Sequence, residues 1–248
     1  MITPATFSAA QAVIGKRWKE DQPPEQARIL GMARDALDFV STTGQRYGLE
    51  DFRASSQRTQ NGSTTLDGLF RSTEDFFLGL FEHAADAPQD RELIQLIMDT
   101  LRFIVFTRQQ HAFDEFRKDR EADAPPFFVA AFPTREEAEA WLQNHPSPPD
   151  FAEVLIAGKS FEVLYDRETN LRRLRGNRTL HHYLARLELS GPAVASFATH
   201  EEAEAWLSAQ PAPAKWAKVL VGGAPHLAVY YSSINHRVLY PLSPLPEH

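Results

Sequence analysis

The chain has 248 residues, of which 43% are hydrophobic and 24% charged, and its net charge is −7. This is the composition of an ordinary soluble protein, long enough for one large core or two smaller ones. It contains no cysteine, which excludes disulfides, thiolate zinc sites, iron–sulfur clusters and cysteine nucleophiles.

The acidic balance argues against broad duplex nucleic-acid binding and suits a partner with a basic surface. The first twenty residues lack a basic start followed by an apolar run, so no signal peptide is expected and the cytoplasm is the expected compartment. The most apolar stretch, residues 93–106, is interrupted by Gln95, Asp99 and Arg102, so no membrane span is expected. Of the 26 cations, 20 are Arg, which with abundant Ala and Pro points to a GC-rich bacterial genome.

Residues 1–121 read as a helical bundle domain. A short helix is expected over residues 8–20. Pro23-Pro24-Glu25 opens the next, because proline's missing N–H is harmless in a first turn. Ile29, Met32, Ala33, Ala36, Leu37 and Val40 then recur at the spacing of one buried helical face.

The polar, glycine-containing stretch 55–63 reads as a loop. Leu66, Leu69, Phe70, Thr73, Phe76, Phe77, Leu80 and Phe81 form the cleanest amphipathic pattern in the chain. Pro88 opens a long helix with Leu93, Ile94, Ile97, Leu101, Ile104 and Val105 on its apolar face. That helix is expected to continue through Phe113 and Phe116 to about residue 120. Four helices with short loops imply a small bundle.

Residues 122–126 mark a boundary, and the grammar changes after it. Over residues 128–158, 17 of the 31 positions are identical to those 65 residues later. Such self-similarity marks a tandem unit. In repeat 1 (127–176), an apolar strand over 127–132 precedes Thr134. Thr134 is a good N-cap, and Glu137 three residues on completes a capping box. The helix stops before Pro146, and strands follow at 151–156, 161–165 and 171–174 around a hairpin turn at 157–160.

Repeat 2 (192–242) copies the pattern, with Thr199 and Glu202, Trp206 matching Trp141, and Gly222-Gly223 at the hairpin. Residues 177–191 hold a linker helix, expected over 178–188, and residues 243–248 an extended tail. The fold class is therefore α+β: an N-terminal helical bundle, then a tandem duplication of a β-α-β-β-β unit with antiparallel sheets. The units should bury their helices, or one sheet face, against each other.

The repeated Glu-Glu-Ala-Glu-Ala-Trp-Leu reads as a helix start. Its acids suit the positive end of the helix dipole, and Glu136 and Glu137 diverge too far to act as paired carboxylates. His111, Asp114 and Glu115 have metal-compatible spacing on a helix, but a di-iron bundle needs Glu-x-x-His on two helices, which this chain lacks. No phosphate-cradling glycine loop, nucleophile elbow or zincin helix is present. No catalytic residue, metal or cofactor is therefore expected.

Two groups remain as candidate contacts. Arg172, Arg173, Arg175, Arg178, His181, His182 and Arg186 concentrate positive charge and could hold a phosphate, a single RNA strand or an acidic partner. Repeat 2 has only Arg237 near the equivalent position, which sets this patch outside the duplicated design. Tyr230, Tyr231 and Tyr240 could form an interface patch, although strand alternation sends one or two of them into the core.

The leading expectation is a non-enzymatic protein-binding module, a bacterial immunity or adaptor protein that occludes a basic partner. The alternatives are a nucleic-acid-associated module using residues 172–186, or an enzyme with a site between bundle and repeats. Oligomeric state has no signature in the sequence.

Overall fold

The computed structural model describes residues 1–58, 66, 68–84, 87–122, 124–187, 191–210 and 216–242, with the side chains of all but 56–58. The chain divides into two units, Met1–Arg117 and Lys118–His248. The expected tail at 243–248 lies outside the described residues.

Unit 1 begins with a cap. The Thr3 hydroxyl accepts from the Thr6 amide, and the Thr6 hydroxyl accepts from the Thr3 amide. This reciprocal pair and Pro4 in the first turn start α1 (Pro4–Gly15), ahead of the expected residue 8. α2 (Pro24–Thr42) buries Ile29, Leu30, Met32, Ala33, Ala36, Leu37, Phe39 and Val40. It ends where Gly44 takes φ 70° and the Gln45 amide reaches back to the Val40 carbonyl at 2.9 Å, a Schellman closure.

A helix not expected from the sequence follows, α3 (Arg46–Arg58), so the polar stretch at 55–63 begins in helix. Among its described side chains only Tyr47, Leu49 and Phe52 are buried, too few to set a clear period. α4 (Gly68–His83) and α5 (Pro88–Phe106) come next, and α5 packs against α1, α2, α3 and α4.

The expected run from Pro88 to residue 120 is broken. Arg108 adopts φ 57° and the Gln109 amide bonds the Ile104 carbonyl at 2.9 Å, the same closure as at Gly44 but without a glycine to announce it. α6 (Gln110–Glu121) starts anew and buries Phe113 and Phe116. The described residues thus give six helices here rather than four.

These helices contain a second internal repeat. Asp35, Leu37, Phe39, Thr43, Gln45, Phe52 and Arg53 recur 64 residues later as Asp99, Leu101, Phe103, Thr107, Gln109, Phe116 and Arg117. The contacts are reciprocal. Asp35 pairs with Arg117 at 3.3 Å, and Asp99 with Arg53 at 2.9 Å. Phe39 meets Phe116 with ring centroids 5.5 Å apart, and Phe103 meets Phe52 at 5.8 Å. Gln45 and Gln109 exchange amide hydrogen bonds of 2.8 and 2.7 Å. Each contact i–j has its counterpart j–i, the mark of a twofold relation between α2–α3 and α5–α6.

Unit 2 carries two four-stranded sheets with the same order. Sheet A is β1 (Ala130–Phe132), β2 (Glu153–Ile156), β3 (Lys159–Asp166) and β4 (Leu171–Gly176), with α7 (Arg135–Asn144) between β1 and β2. Sheet B repeats it as β5 (Ala195–Phe197), α9 (His200–Ala209), β6 (Trp216–Val221), β7 (Ala224–Tyr231) and β8 (His236–Pro241). α8 (Thr179–Arg186) lies between the repeats in sequence.

The sheets are mixed rather than wholly antiparallel, since β1 pairs with β2 and β5 with β6 in parallel. A helical crossover returns the chain in its original direction, so the strands flanking α7 and α9 cannot be antiparallel neighbours. The hairpin turns are two residues long, with Ile156 opposite Lys159 and Val221 opposite Ala224. Both central residues take positive φ, Ala157 48° and Gly158 73° in one turn and Gly222 58° and Gly223 79° in the other.

Period-two alternation sorts the faces. One face of sheet B, through Val219, Val221, Ala228 and Leu239, packs on Ala203 and Leu207 of α9. The other, through Leu227, Val229, Tyr231 and Tyr240, shares a core with Phe128, Leu155 and the α8 residue Leu180. Leu155 and Ala131 point away from α7, whose Trp141 stacks on Phe132 at 5.2 Å. The repeats therefore meet through their helix-free faces, with α8 joining that core and α7 and α9 on the outer sides.

Candidate functional site

The arginine patch divides by role when it is built from its strand. On β4, alternate residues face opposite sides, so Arg172 and Leu174 point toward α7 while Arg173 and Arg175 point away. Arg172 donates through Nη1 to the carbonyls of Leu142, Gln143 and His145 at 2.9, 2.7 and 2.9 Å. These are the orphan acceptors at the end of α7, where a cation also complements the helix dipole. Its guanidinium lies 5.6 Å from the Tyr165 ring centre.

Arg237 does the same in repeat 2. It donates to the Gln210 carbonyl after α9 at 3.3 Å and stacks over Tyr230 at 4.5 Å. Arg172 and Arg237 are thus one duplicated helix clamp, which corrects the expectation that the patch stands wholly outside the repeat. Arg175 is ion-paired with its cross-strand neighbour Glu162.

What remains is a cationic surface on α8. Leu180, Tyr183, Leu184 and Leu187 face the inter-sheet core, and the opposite side presents Arg178, His181, His182 and Arg186, all exposed. The imidazoles of His181 and His182 meet edge to face with centroids 5.9 Å apart. Arg186 folds back to the His182 carbonyl at 3.2 Å. Arg173, Arg178 and Arg186 have no carboxylate partner among the described residues. Residues 171–187 contain five arginines and no Asp or Glu.

The tyrosines do not form a surface patch. Tyr231 and Tyr240 are buried in the inter-sheet core with their hydroxyls 3.3 Å apart, and Tyr230 is half-buried under Arg237. Burial pushes the Tyr240 phenol up to about 12. Burial raises Tyr231 further, and Tyr240 next to it adds to the shift. The partly buried His236 imidazole is pushed down by desolvation.

The repeated acidic motif caps its helices as expected on one side. The Thr134 and Thr199 hydroxyls accept from the Glu137 and Glu202 amides at 3.2 Å each. The Glu202 carboxylate reaches Ala198, one residue before the cap, at 2.9 Å. Glu136, Glu137 and Glu139 on α7, and Glu201, Glu202 and Glu204 on α9, are all exposed.

His111 and Asp114 lie on the exposed side of α6. Among the described residues no group of three or more His, Asp or Glu converges on a metal-sized position. None of the described helices is long and apolar enough to cross a membrane.

Sequence reading missed the crossed Asp35–Arg117 and Asp99–Arg53 pairs, although Asp-x-Leu-x-Phe-x₃-Thr-x-Gln-x₆-Phe-Arg, present twice, was the available signal. Asp99 also accepts from Gln95 at 2.8 Å, and Arg102 next to it bonds Glu74. These groups satisfy one another and tie α3, α4 and α5 together, a structural role.

Comparison of the chain with protein-family models, with curated proteins and with solved structures gave no match.

Proposed function

We propose that the chain is a non-enzymatic binding protein that covers a basic surface of a protein partner. The supporting observation is how the repeats use their faces. The helix-free faces are consumed in a shared core, which leaves α7 and α9 outward, each with three exposed glutamates at matching positions. Two copies of one acidic surface on one body suit electrostatic recognition, where complementary potential governs encounter and register.

On this reading the mechanism is steric and electrostatic occlusion of a cationic site, such as that of a nuclease toxin. The setting is the bacterial cytoplasm and the role that of an immunity or adaptor protein. The test is capture of a partner by tagged protein from nuclease-treated native lysate, repeated with E136K/E139K/E201K/E204K. A stoichiometric protein retained by the parent and lost from the variant is expected. Retention by both, or no partner in either, would overturn the proposal.

A further inference from the structure

We propose that the outer face of α8, together with Arg173, is a contact site for single-stranded nucleic acid. Two observations combine. α8 is anchored by a complete apolar side, Leu180, Tyr183, Leu184 and Leu187, in the inter-sheet core. Its opposite side is therefore held in place before any ligand arrives, which reduces the ordering cost of binding. Arg173 projects from the face of sheet A that α8 covers, since it is paired with Leu164 on the side away from α7.

The chemistry of this face selects the ligand class. Guanidinium forks match phosphate oxygens, and Arg173, Arg178 and Arg186 are not neutralised by carboxylates among the described residues. Along the chain between Arg178 and Arg186 lie two exposed imidazole rings with centroids 5.9 Å apart, planar surfaces on which unpaired bases can stack. An acidic peptide would use the cations and leave the rings idle; a single strand uses both. The helix is about 12 Å long, the span of a few nucleotides. The net charge of −7 confines attraction to this face and disfavours a duplex laid across the molecule. Arg172 and Arg175 are excluded from the site because one clamps α7 and the other is paired with Glu162.

The test is fluorescence anisotropy with a labelled oligouridylate of about 12 nucleotides at roughly 50 mM salt. Binding is expected with a log–log salt slope of about −2, three phosphates at −0.7 each. R178E/R186E should weaken it by about tenfold or more, and R173E by a smaller factor, with melting temperatures unchanged because all three residues are exposed. H181A/H182A should weaken it while keeping the slope, since stacking releases no counterions. The proposal is overturned by no binding at about 100 μM protein, or by equal binding of R178E/R186E. Equal affinity for a polyglutamate peptide or a duplex of the same charge would also overturn it. E136K/E139K/E201K/E204K should still respond to R178E/R186E, which separates this site from the acidic helices.

Discussion

Arg172 and Arg237 show one side chain doing three jobs: it accepts the dipole of a helix end, satisfies orphan carbonyls and covers an aromatic face. Arg172 reaches three carbonyls and Arg237 one. R172A should therefore cost more than R237A, about 2 against about 1 kcal/mol in urea unfolding.

The buried tyrosine pair makes a pH prediction. A phenol whose folded pKa is raised stays protonated in the native state while the unfolded chain ionises above pH 10, so stability is full below pH 10 and falls as pH rises toward the folded value. With Tyr240 pushed up to about 12 and Tyr231 higher, the loss should be about 1.4 kcal/mol per pH unit for each tyrosine between pH 10 and 12. Y231F/Y240F removes both hydroxyls of one hydrogen bond. It should leave neutral-pH stability within about 1 kcal/mol and abolish this alkaline loss. Equilibrium unfolding at pH 8 and 11.5 would show an undiminished loss if the pair is not the cause.

At the scale of elements, the two hairpin turns are an internal control. Ala157 holds φ 48° where its counterpart Gly222 holds 58°. An L side chain in that region is strained, so A157G should stabilise by about 0.5–1 kcal/mol and G222A destabilise by a similar amount. A Cβ on Gly222 would meet only the Ala198 carbonyl at 3.7 Å, an ordinary contact, so the effect isolates backbone strain. Denaturation midpoints that move in the same direction for both would refute this.

Turn and cap chemistry also set what could be read in advance. The β-α-β-β-β order was legible because Thr134, Gly158, Thr199 and Gly223 punctuate it twice. The α5–α6 break was not, because Arg108 occupies a left-handed position that glycine usually signals. α3 was hidden because its three buried side chains lie among polar ones. The arginine patch was legible only as charge. Strand alternation and the end of α7 had to be placed before Arg172 could be told from Arg173.

At the scale of the molecule, both units are internally doubled, one doubling plain in the sequence and the other reduced there to a sparse motif. Strand-rich repeats keep turn and cap residues at fixed offsets, whereas packed helices need only apolar volume at the right period, so identity fades while contacts persist. The crossed ion pairs carry a prediction here. D99A strands Arg53, whose side chain is 18% exposed, and should cost about 2–4 kcal/mol. R53A/D99A should cost less than the sum of its single changes, and D35A with R117A should show coupling of the same sign. Additive effects in urea-based double-mutant cycles would show that the pairs are incidental.

That crossing has a consequence for ancestry and cooperativity. Asp35 on α2 is held both by its neighbour Arg34 and by Arg117 of α6, and Asp99 on α5 both by Arg102 one turn on and by Arg53 of α3, so each buried acid is shared between the two helical halves. An ancestor with one half could have made the crossed contact only with a second copy of itself, as an isologous homodimer. Joining two copies in one chain replaces a concentration-dependent encounter with a tethered one. The fused pair is freed from dilution, and its two halves are bound to melt together.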